Sequence, residues 1–411
     1  MRPTRRTPAP SPSCTRTLAD DVVVRYLELG LRLGRLLDGF VDAYYGPLDL
    51  KQRVDNEPMP DPAKLAQDTR RIIADLDAGE GELDAHRRRW VRGQALGLLV
   101  SAQRFAGEPV EFEDEVEQCY GVRPTRVDDD EIAAAHQRID AVLPGSGALG
   151  ERLIAWREAQ AVPLDKLDAA IRSLADDFRE RTQLLFGLPE GEHVDFELVE
   201  NEPWSGFNYY LGDLRSRVVI NTDLPVLSTS LGHLVAHEAY PGHHTEHSRK
   251  EAGLVRRQGF LEETIFLVGT PQCLLAEGLA DLGLEVIVPQ QHHAVVAEHL
   301  RGLGIHYDAE VATAVASAGE VLGNAVRGNV ALLLHVDGAS QDDAVAYAER
   351  WGLLPRNRAQ KTVQFQTDPV WRAYIFCYID GLRLCRRFVD GDPTRFERLI
   401  TEALLPTDLA A

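Results

Sequence analysis

Apolar residues recur every three or four positions through the first half of the chain, which is the spacing of helices with one buried face. The first run contains Val23, Leu27 and Leu31. Comparable runs predict further helices at about 62–77, 83–106, 111–120, 129–143, 148–160 and 163–187. The segments between these runs carry helix-breaking residues, among them Gly79 and Pro144, as loops do.

The pattern changes after Pro189, where helical spacing gives way to short alternating and β-branched segments. Residues 194–199 and 217–221 are therefore predicted to be strands. An aromatic, glycine-rich stretch at 204–212 lies between them, and helical spacing returns from Leu227 onward. The sequence thus predicts a mainly α fold with a small antiparallel β-sheet.

The length of the chain and this change in pattern predict two packed lobes. A chain of 411 residues is too long for one ordinary core. We place an N-terminal helical lobe at 18–190 and a second lobe, which carries the candidate chemistry, at 191–411. Residues 1–17 are rich in Pro, Arg, Ser and Thr and lack the apolar middle of a secretory signal, so they are predicted to be a disordered tail.

Charge and cysteine content narrow the range of partners. The formal net charge of −20 disfavours a nucleic-acid partner, because phosphate binding requires a basic face. No apolar run reaches the length that spans a bilayer, so we expect no membrane partner. The five cysteines are scattered and form no Cys-x-x-Cys pair, which is typical of a reducing compartment and predicts a cytoplasmic protein. The sequence does not indicate an oligomeric state.

Three histidines and a glutamate lie within residues 237–244, which read His-Glu-Ala-Tyr-Pro-Gly-His-His. Candidate N-cap residues at 228–230 precede apolar positions at helical spacing, so His237 and Glu238 are expected late in a helix. In zinc peptidases with a His-Glu-x-x-His motif, two histidines four residues apart bind the metal and the glutamate acts as general base. The segment therefore predicts a zinc site with Glu238 as the base.

The spacing leaves the second histidine ligand open. The position four residues after His237 is Pro241, which cannot bind a metal. An unbroken helix would return His244 to the face of His237, but about 10.5 Å farther along the axis. We expect proline, with Gly242 in a left-handed turn, to break the helix and fold His243 back toward His237. This reasoning favours His243 as the ligand and keeps His244 as an alternate or outer residue.

The third ligand is expected from a second helix, in the segment 277–281. Glu277 and Asp281 are four residues apart and share one helix face. Glu277 would bind the zinc, while Asp281 would accept the distal N–H of a ligand histidine and orient its ring. Two histidines and a carboxylate leave a coordination position open, as in catalytic zinc sites. A His233–His237 pair remains a further alternative, although it gives Glu238 no obvious task.

These motifs resemble a widespread bacterial family of unknown function that is distantly similar to the gluzincin metallopeptidases. The family carries His-Glu-x-x-Pro-Gly-His-His followed farther along by Glu-Gly-x-Ala. The matching residues here are 237–244 and 277–280, with weaker matches at 42–47 and 374–381. The resemblance implies a multi-helical, two-lobed metallopeptidase-like fold with the small sheet beside the metal-site helix. It also implies zinc held by two histidines of one helix and a glutamate of another.

We therefore expect a zinc-dependent hydrolase, in the first place a metallopeptidase acting on a peptide or small amide. Glu238 would take a proton from the attacking water, and Tyr378 would donate to the developing oxyanion. The strand at 217–221 is expected to pair with an extended peptide. Further candidates for substrate binding are Tyr209, Tyr210, Asn221 and Tyr374. The alternatives are a non-catalytic helical binding protein with a structural metal and a hydrolase of a small non-peptide amide or ester.

Overall fold

The computed structural model describes residues 18–79, 83–202, 205–369 and 371–409, and the predicted disordered tail at 1–17 lies outside them. The described chain is mainly α-helical, as predicted. Its α-helices are α1 Leu18–Leu36, α2 Leu48–Asp55, α3 Pro62–Ala78, α4 Ala85–Phe105, α5 Phe112–Tyr120, α6 Asp129–Asp140, α7 Leu149–Glu158, α8 Leu164–Phe186, α9 Ser228–Glu238, α10 His243–Lys250, α11 Pro271–Ile287, α12 His292–Gly302, α13 Ala309–Glu320, α14 Val326–His335, α15 Gln341–Gly352, α16 Arg356–Thr367, α17 Ile375–Val389 and α18 Pro393–Thr401. The strands are β1 Val41–Tyr44, β2 His193–Val199, β3 Gly206–Gly212, β4 Arg215–Asn221 and β5 Ile265–Leu267.

The helices predicted between residues 62 and 187 are confirmed as α3 to α8, with ends that differ by a few residues. Local capping explains several of these ends. The Asp61 side chain accepts a hydrogen bond from the backbone N–H of Ala63 at the start of α3. At the ends of α3 and α5, Gly79 and Gly121 take positive φ values that glycine adopts without strain.

Two small sheets accompany the helices. Strands β1 and β5 form an antiparallel pair, in keeping with the predicted small antiparallel sheet. The other sheet has the order β2-β4-β3, with β4 parallel to β2 and antiparallel to β3. Because β4 is the central strand, both of its edges are already paired. The expectation that residues 217–221 bind a peptide as an added strand is therefore wrong.

Helices α11 and α17 pack with their backbones in close contact. A Cβ atom at Gly278 would lie 2.3 Å from the carbonyl group of Gly381, and one at Gly381 would lie 2.3 Å from the carbonyl oxygen of Leu274. No side chain fits at either position, so the two glycines permit the close approach. The contact brings the start of α17 beside Glu277 of α11.

Apolar packing joins the two halves of the chain. The largest core combines Val116 and Phe178 with Leu231 and Leu279, which lie on opposite sides of residue 190. A second core surrounds Trp90 of α4. The division into two lobes near residue 190 stays a prediction. Within the described ranges, no helix has the length and apolar character needed to cross a membrane.

Candidate metal centre

Helix α9 ends with His237 and Glu238, and the chain turns sharply before α10 begins at His243. Pro241 and Gly242 form the turn. Gly242 has φ −75° and ψ −135°, so the left-handed conformation expected for it is wrong. The requirement for glycine is steric, because a Cβ atom there would lie 1.9 Å from the carbonyl oxygen of His237. The break folds His243 back onto the end of α9.

Three side chains converge through atoms that suit a metal ion. Nε2 of His237 lies 3.1 Å from Nε2 of His243 and 3.3 Å from Oε2 of Glu277. The other Glu277 oxygen is 3.8 Å from Nε2 of His243. Among the described residues, Oε2 of Glu277 has no hydrogen-bond partner although it is buried. Two facing ring nitrogens and an orphaned carboxylate oxygen are atoms that a zinc ion would bind.

Asp281 holds the opposite side of the His237 ring. Its Oδ1 lies 2.9 Å from Nδ1 of His237, a contact that leaves the lone pair on Nε2, which faces the other two ligand candidates. His233 also approaches Asp281, at 3.3 Å, but this histidine is exposed. His233, His237 and Asp281 form a second cluster of potential ligands. We favour the buried group with His243 and Glu277, because it leaves Asp281 to orient the ring.

At His243 and Glu277 the surroundings favour the protonation states that metal ligands require, whereas His237 would have to release a proton on binding a metal. Burial lowers the pKa of His243 to about 4, and the neighbouring His237 adds to the effect. Burial also opposes protonation of His237, but the hydrogen bond to Asp281 and the nearby Glu277 carboxylate raise its pKa well above the ordinary value. Burial acts against ionisation of Glu277, yet the adjacent histidines and Tyr374 hold its pKa below the ordinary value. A neutral histidine and an ionised glutamate can bind a cation directly.

Tyr374 supports the glutamate ligand candidate. Its hydroxyl donates a hydrogen bond of 2.6 Å to Oε1 of Glu277, and the side chain is buried. From the sequence, Tyr374 was predicted to bind substrate. In the structure its hydroxyl holds the carboxylate of Glu277, so Tyr374 positions a candidate ligand.

Glu238 and Tyr378 face the same cavity of about 830 Å³, which opens beside the histidines. The backbone carbonyl of Glu238 accepts a hydrogen bond of 2.6 Å from the Asn208 side chain, which fixes the end of α9. Burial raises the pKa of the Glu238 carboxyl group to about 7. The two residues predicted to act on a substrate therefore face one space.

His244 lies in a separate buried network behind the centre. Its Nε2 is 2.8 Å from Oε2 of Glu192, and its Nδ1 is 2.8 Å from the hydroxyl of Ser216. Tyr240 and Arg179 also donate hydrogen bonds to the Glu192 carboxylate. Both ring nitrogens of His244 are thus engaged away from the three converging side chains. The structure places His243 at the centre and gives His244 a role in packing α10 against β4.

Glu192→Gln is expected to lower the free energy of unfolding by about 2–4 kcal/mol, because it removes the buried charge that His244, Tyr240 and the more exposed Arg179 share. The measurement is equilibrium unfolding in urea, with Glu190→Gln as the control, since Glu190 is exposed two residues away. Zinc content should be the same in both variants. A Glu192→Gln protein as stable as the control would show that the network contributes nothing to stability.

The remaining predicted substrate residues do not line the cavity. Tyr210 is buried, and its hydroxyl donates to the carboxylate of Glu251. Tyr209 is the next residue along β3, so it faces the opposite side of the sheet and is only half-buried. The side-chain amide of Asn221 donates to the carbonyl oxygen of Glu202 at 2.8 Å and holds the loop beside β4. Tyr210 and Asn221 thus stabilise the sheet and its adjoining loop.

Two residues near the centre are not singled out by sequence reasoning. Asn208 holds the end of α9, as described above. Burial and the charges of Glu277 and Glu238 raise the pKa of Asp42 to about 7, which indicates that this β1 carboxyl group lies close to the centre. The pairing of β1 with β5 places Asp42 there, and local periodicity carries no signal for that pairing. The weak family match at 42–47 is the one sequence signal that points to this segment.

Comparison with known proteins finds solved structures with a similar fold. No protein-family model and no curated protein matches the chain. A candidate lipoprotein from Colwellia psychrerythraea is similar in structure, with a TM-score of 0.52 and 14% identity over 85% of this chain and 66% of that chain. A second candidate lipoprotein, of unknown function and from Shewanella oneidensis, gives a TM-score of 0.51 and 14% identity over 94% of this chain and 81% of that chain. The chain thus spans slightly under two thirds of the first structure, and at this identity the likeness concerns the fold alone.

Proposed function

We propose that this protein is a zinc-dependent hydrolase that cleaves amide bonds, with peptides as its substrates. The observation that carries the proposal is the convergence of His237, His243 and Glu277 beside a cavity that Glu238 also faces. The buried, unpartnered Oε2 atom of Glu277 supports a bound cation, because burying an unsatisfied carboxylate oxygen is costly. Resemblance to the gluzincin pattern in the two helices adds to this support.

The donor set fits zinc better than the harder divalent cations. Two imidazole nitrogens and one carboxylate oxygen match the ligands that zinc binds at catalytic sites, whereas calcium and magnesium prefer oxygen alone. His237 and His243 would supply the nitrogens and Glu277 the oxygen. Asp281 would orient the His237 ring, as carboxylates behind metal ligands commonly do. A zinc ion held there would polarise a substrate carbonyl and make an attacking water more acidic.

The residues around this centre supply proton transfer and charge stabilisation. Glu238 faces the cavity next to the ligand group, where it would take a proton from the attacking water and deliver it to the leaving nitrogen. Tyr378 lines the same cavity and would donate its hydroxyl hydrogen to the oxyanion that develops on the substrate carbonyl. Asn208 keeps Glu238 in place by bonding its backbone carbonyl.

The alternative of a closed structural site receives no support from the placement of the histidines. Such a site would need His243 and His244 together with His237 and Glu277. His244 instead contacts Glu192 and Ser216, so these four side chains do not converge. An open coordination position is what a catalytic site requires.

The purified protein is expected to contain about one zinc ion per chain and to hydrolyse members of a mixed peptide library. Removing the metal with a chelator should abolish hydrolysis, and adding Zn²⁺ should restore it, because the proposed chemistry needs the cation. Metal content is measured by mass spectrometry, and cleavage by sequencing of the products. Full activity in metal-stripped protein would contradict the proposal.

A further inference from the structure

The cavity beside the candidate metal centre contains two arginines with different surroundings. It reaches from His237 and Glu238 to helices α13, α14 and α17, where Arg327 and Arg386 contribute to its lining. Arg386 is neutralised, since its guanidinium donates hydrogen bonds of 2.7 Å to both Glu320 and Glu285. A substrate would therefore meet no unbalanced positive charge at Arg386.

Arg327 has no such partner in the described part of the chain. Its guanidinium makes no hydrogen bond or ion pair there, and its central carbon lies 5.4 Å from the centre of the Tyr378 ring. A guanidinium group carries five N–H donors, and those of Arg327 are not fully buried, so they are open to the cavity. Arg327 is half-buried at the cavity wall, so part of its hydration has been lost without replacement. An anion entering the cavity would supply the missing acceptors.

A chain of contacts connects Arg327 to the reacting centre. Its guanidinium lies over Tyr378, the ring of Tyr378 is 5.7 Å from that of Tyr374, and Tyr374 is bonded to Glu277. Tyr378 is also the proposed donor to the oxyanion. A carboxylate held by Arg327 would consequently lie near the scissile bond, on the side of Tyr378.

We propose, building on the hydrolase function above, that Arg327 binds the α-carboxylate of a peptide substrate and makes the protein a carboxypeptidase. The α-carboxylate is separated from the nitrogen of the last peptide bond by a single carbon atom, so a cation beside the centre can select that bond. Hydrolysis breaks its C–N bond, places the water oxygen on the carbonyl carbon and leaves a shortened peptide and a free amino acid. Planar guanidinium groups bind carboxylates through two parallel hydrogen bonds.

The negative net charge of the protein means that an anionic substrate needs a local cation in the cavity to bind. With a net charge of −20, the long-range field repels carboxylates. Binding of an acidic terminus therefore depends on a local cation, and Arg327 is the cavity arginine without an acidic partner among the described residues.

The first test compares pairs of peptides that differ only in a free or an amidated C terminus. The zinc-loaded wild type is expected to prefer the free acid on the order of 10²-fold in kcat/KM, because the amide leaves a desolvated cation unpaired. Arg327→Gln should reduce this preference to a few-fold. Arg386→Gln changes the charge equally but should keep the preference, since Arg386 is already paired with Glu320 and Glu285.

The second test measures binding without turnover. An N-acetyl dipeptide and its amide are titrated calorimetrically into zinc-loaded Glu238→Gln protein, with and without Arg327→Gln. Tighter binding of the acid that disappears in the double variant supports the carboxylate site. That result would stand even if no peptide were hydrolysed, in which case the hydrolase proposal alone would fail.

The remaining outcomes overturn the carboxylate site. Equal cleavage of acids and amides, or cleavage at interior bonds, would leave a zinc peptidase in place and remove the role of Arg327. A preference for peptides with an internal glutamate, irrespective of the terminus, would assign Arg327 to a side-chain pocket instead. If the protein showed no hydrolysis and no difference in binding between the acid and the amide, both proposals would be contradicted.

Discussion

Replacing Glu238 by glutamine is expected to slow peptide hydrolysis on the order of 10²–10⁴-fold, the usual contribution of a general base. Glutamine has nearly the same shape but cannot accept the proton of the attacking water. The hydrogen bond from Asn208 reaches the backbone carbonyl of Glu238, so the substitution leaves the end of α9 supported. Zinc content should stay at about one ion per chain, since Glu238 is outside the three converging ligand candidates.

The appropriate control for Glu238 is Glu285→Gln. Glu285 also lines the cavity, but its carboxylate is engaged by Arg386. We expect turnover in this variant to stay within a few-fold of wild type. The measurement is kcat on one peptide with zinc content determined for each preparation. If zinc-loaded Glu238→Gln turned over at the wild-type rate, Glu238 would have no part in the mechanism.

His243→Ala is expected to weaken zinc binding by well over 100-fold. His244→Ala should weaken it by at most about 10–100-fold, which is the usual loss of metal affinity when a residue that supports a ligand is replaced. The reason is the turn at Pro241 and Gly242, which brings Nε2 of His243 to within 3.1 Å of Nε2 of His237. His244 points into the Glu192 network, so its loss should lower the free energy of unfolding instead.

Zinc affinity in both variants is measured by competition with a chromophoric chelator, and stability by unfolding in urea. His86→Ala, at an exposed position of α4, controls for the loss of a surface histidine. The reverse ranking of the two variants would place His244 at the metal and contradict the geometry of the turn. Equal loss of zinc in both would indicate that the whole of α10 has moved.

The ligand candidates came from the sequence because they depend on local spacing. Glu277 and Asp281 are four residues apart, so any helix puts them on one face, and they reach Nε2 and Nδ1 of the same imidazole ring. Proline after His237 indicated a broken helix on steric grounds alone. The conformation of Gly242 was not predictable in this way, because the clash that requires glycine involves the carbonyl of His237 after the chain has folded back.

The substrate side of the site was predicted less well. Tyr209 and Tyr210 alternate along one strand, and only the position of β3 in its sheet determines which of them is buried. Tyr374 was assigned to substrate but holds Glu277 instead, because the close contact of α11 and α17 decides what its hydroxyl reaches. The sequence did not mark Arg327 as a binding residue, because a single arginine in a helix is common and its tertiary neighbours cannot be read from local spacing.

The sequence by itself determined the helices, the break after His237 and the placement of Glu277 and Asp281 on one helix face. Each of these follows from interactions within about one turn of the chain, which residue type and spacing encode directly. The tertiary structure alone decided the order β2-β4-β3, the burial of His244 against Glu192 and the unpaired state of Arg327 in the described chain. These depend on contacts between segments far apart in sequence, whose partners are selected by the packing of the whole core.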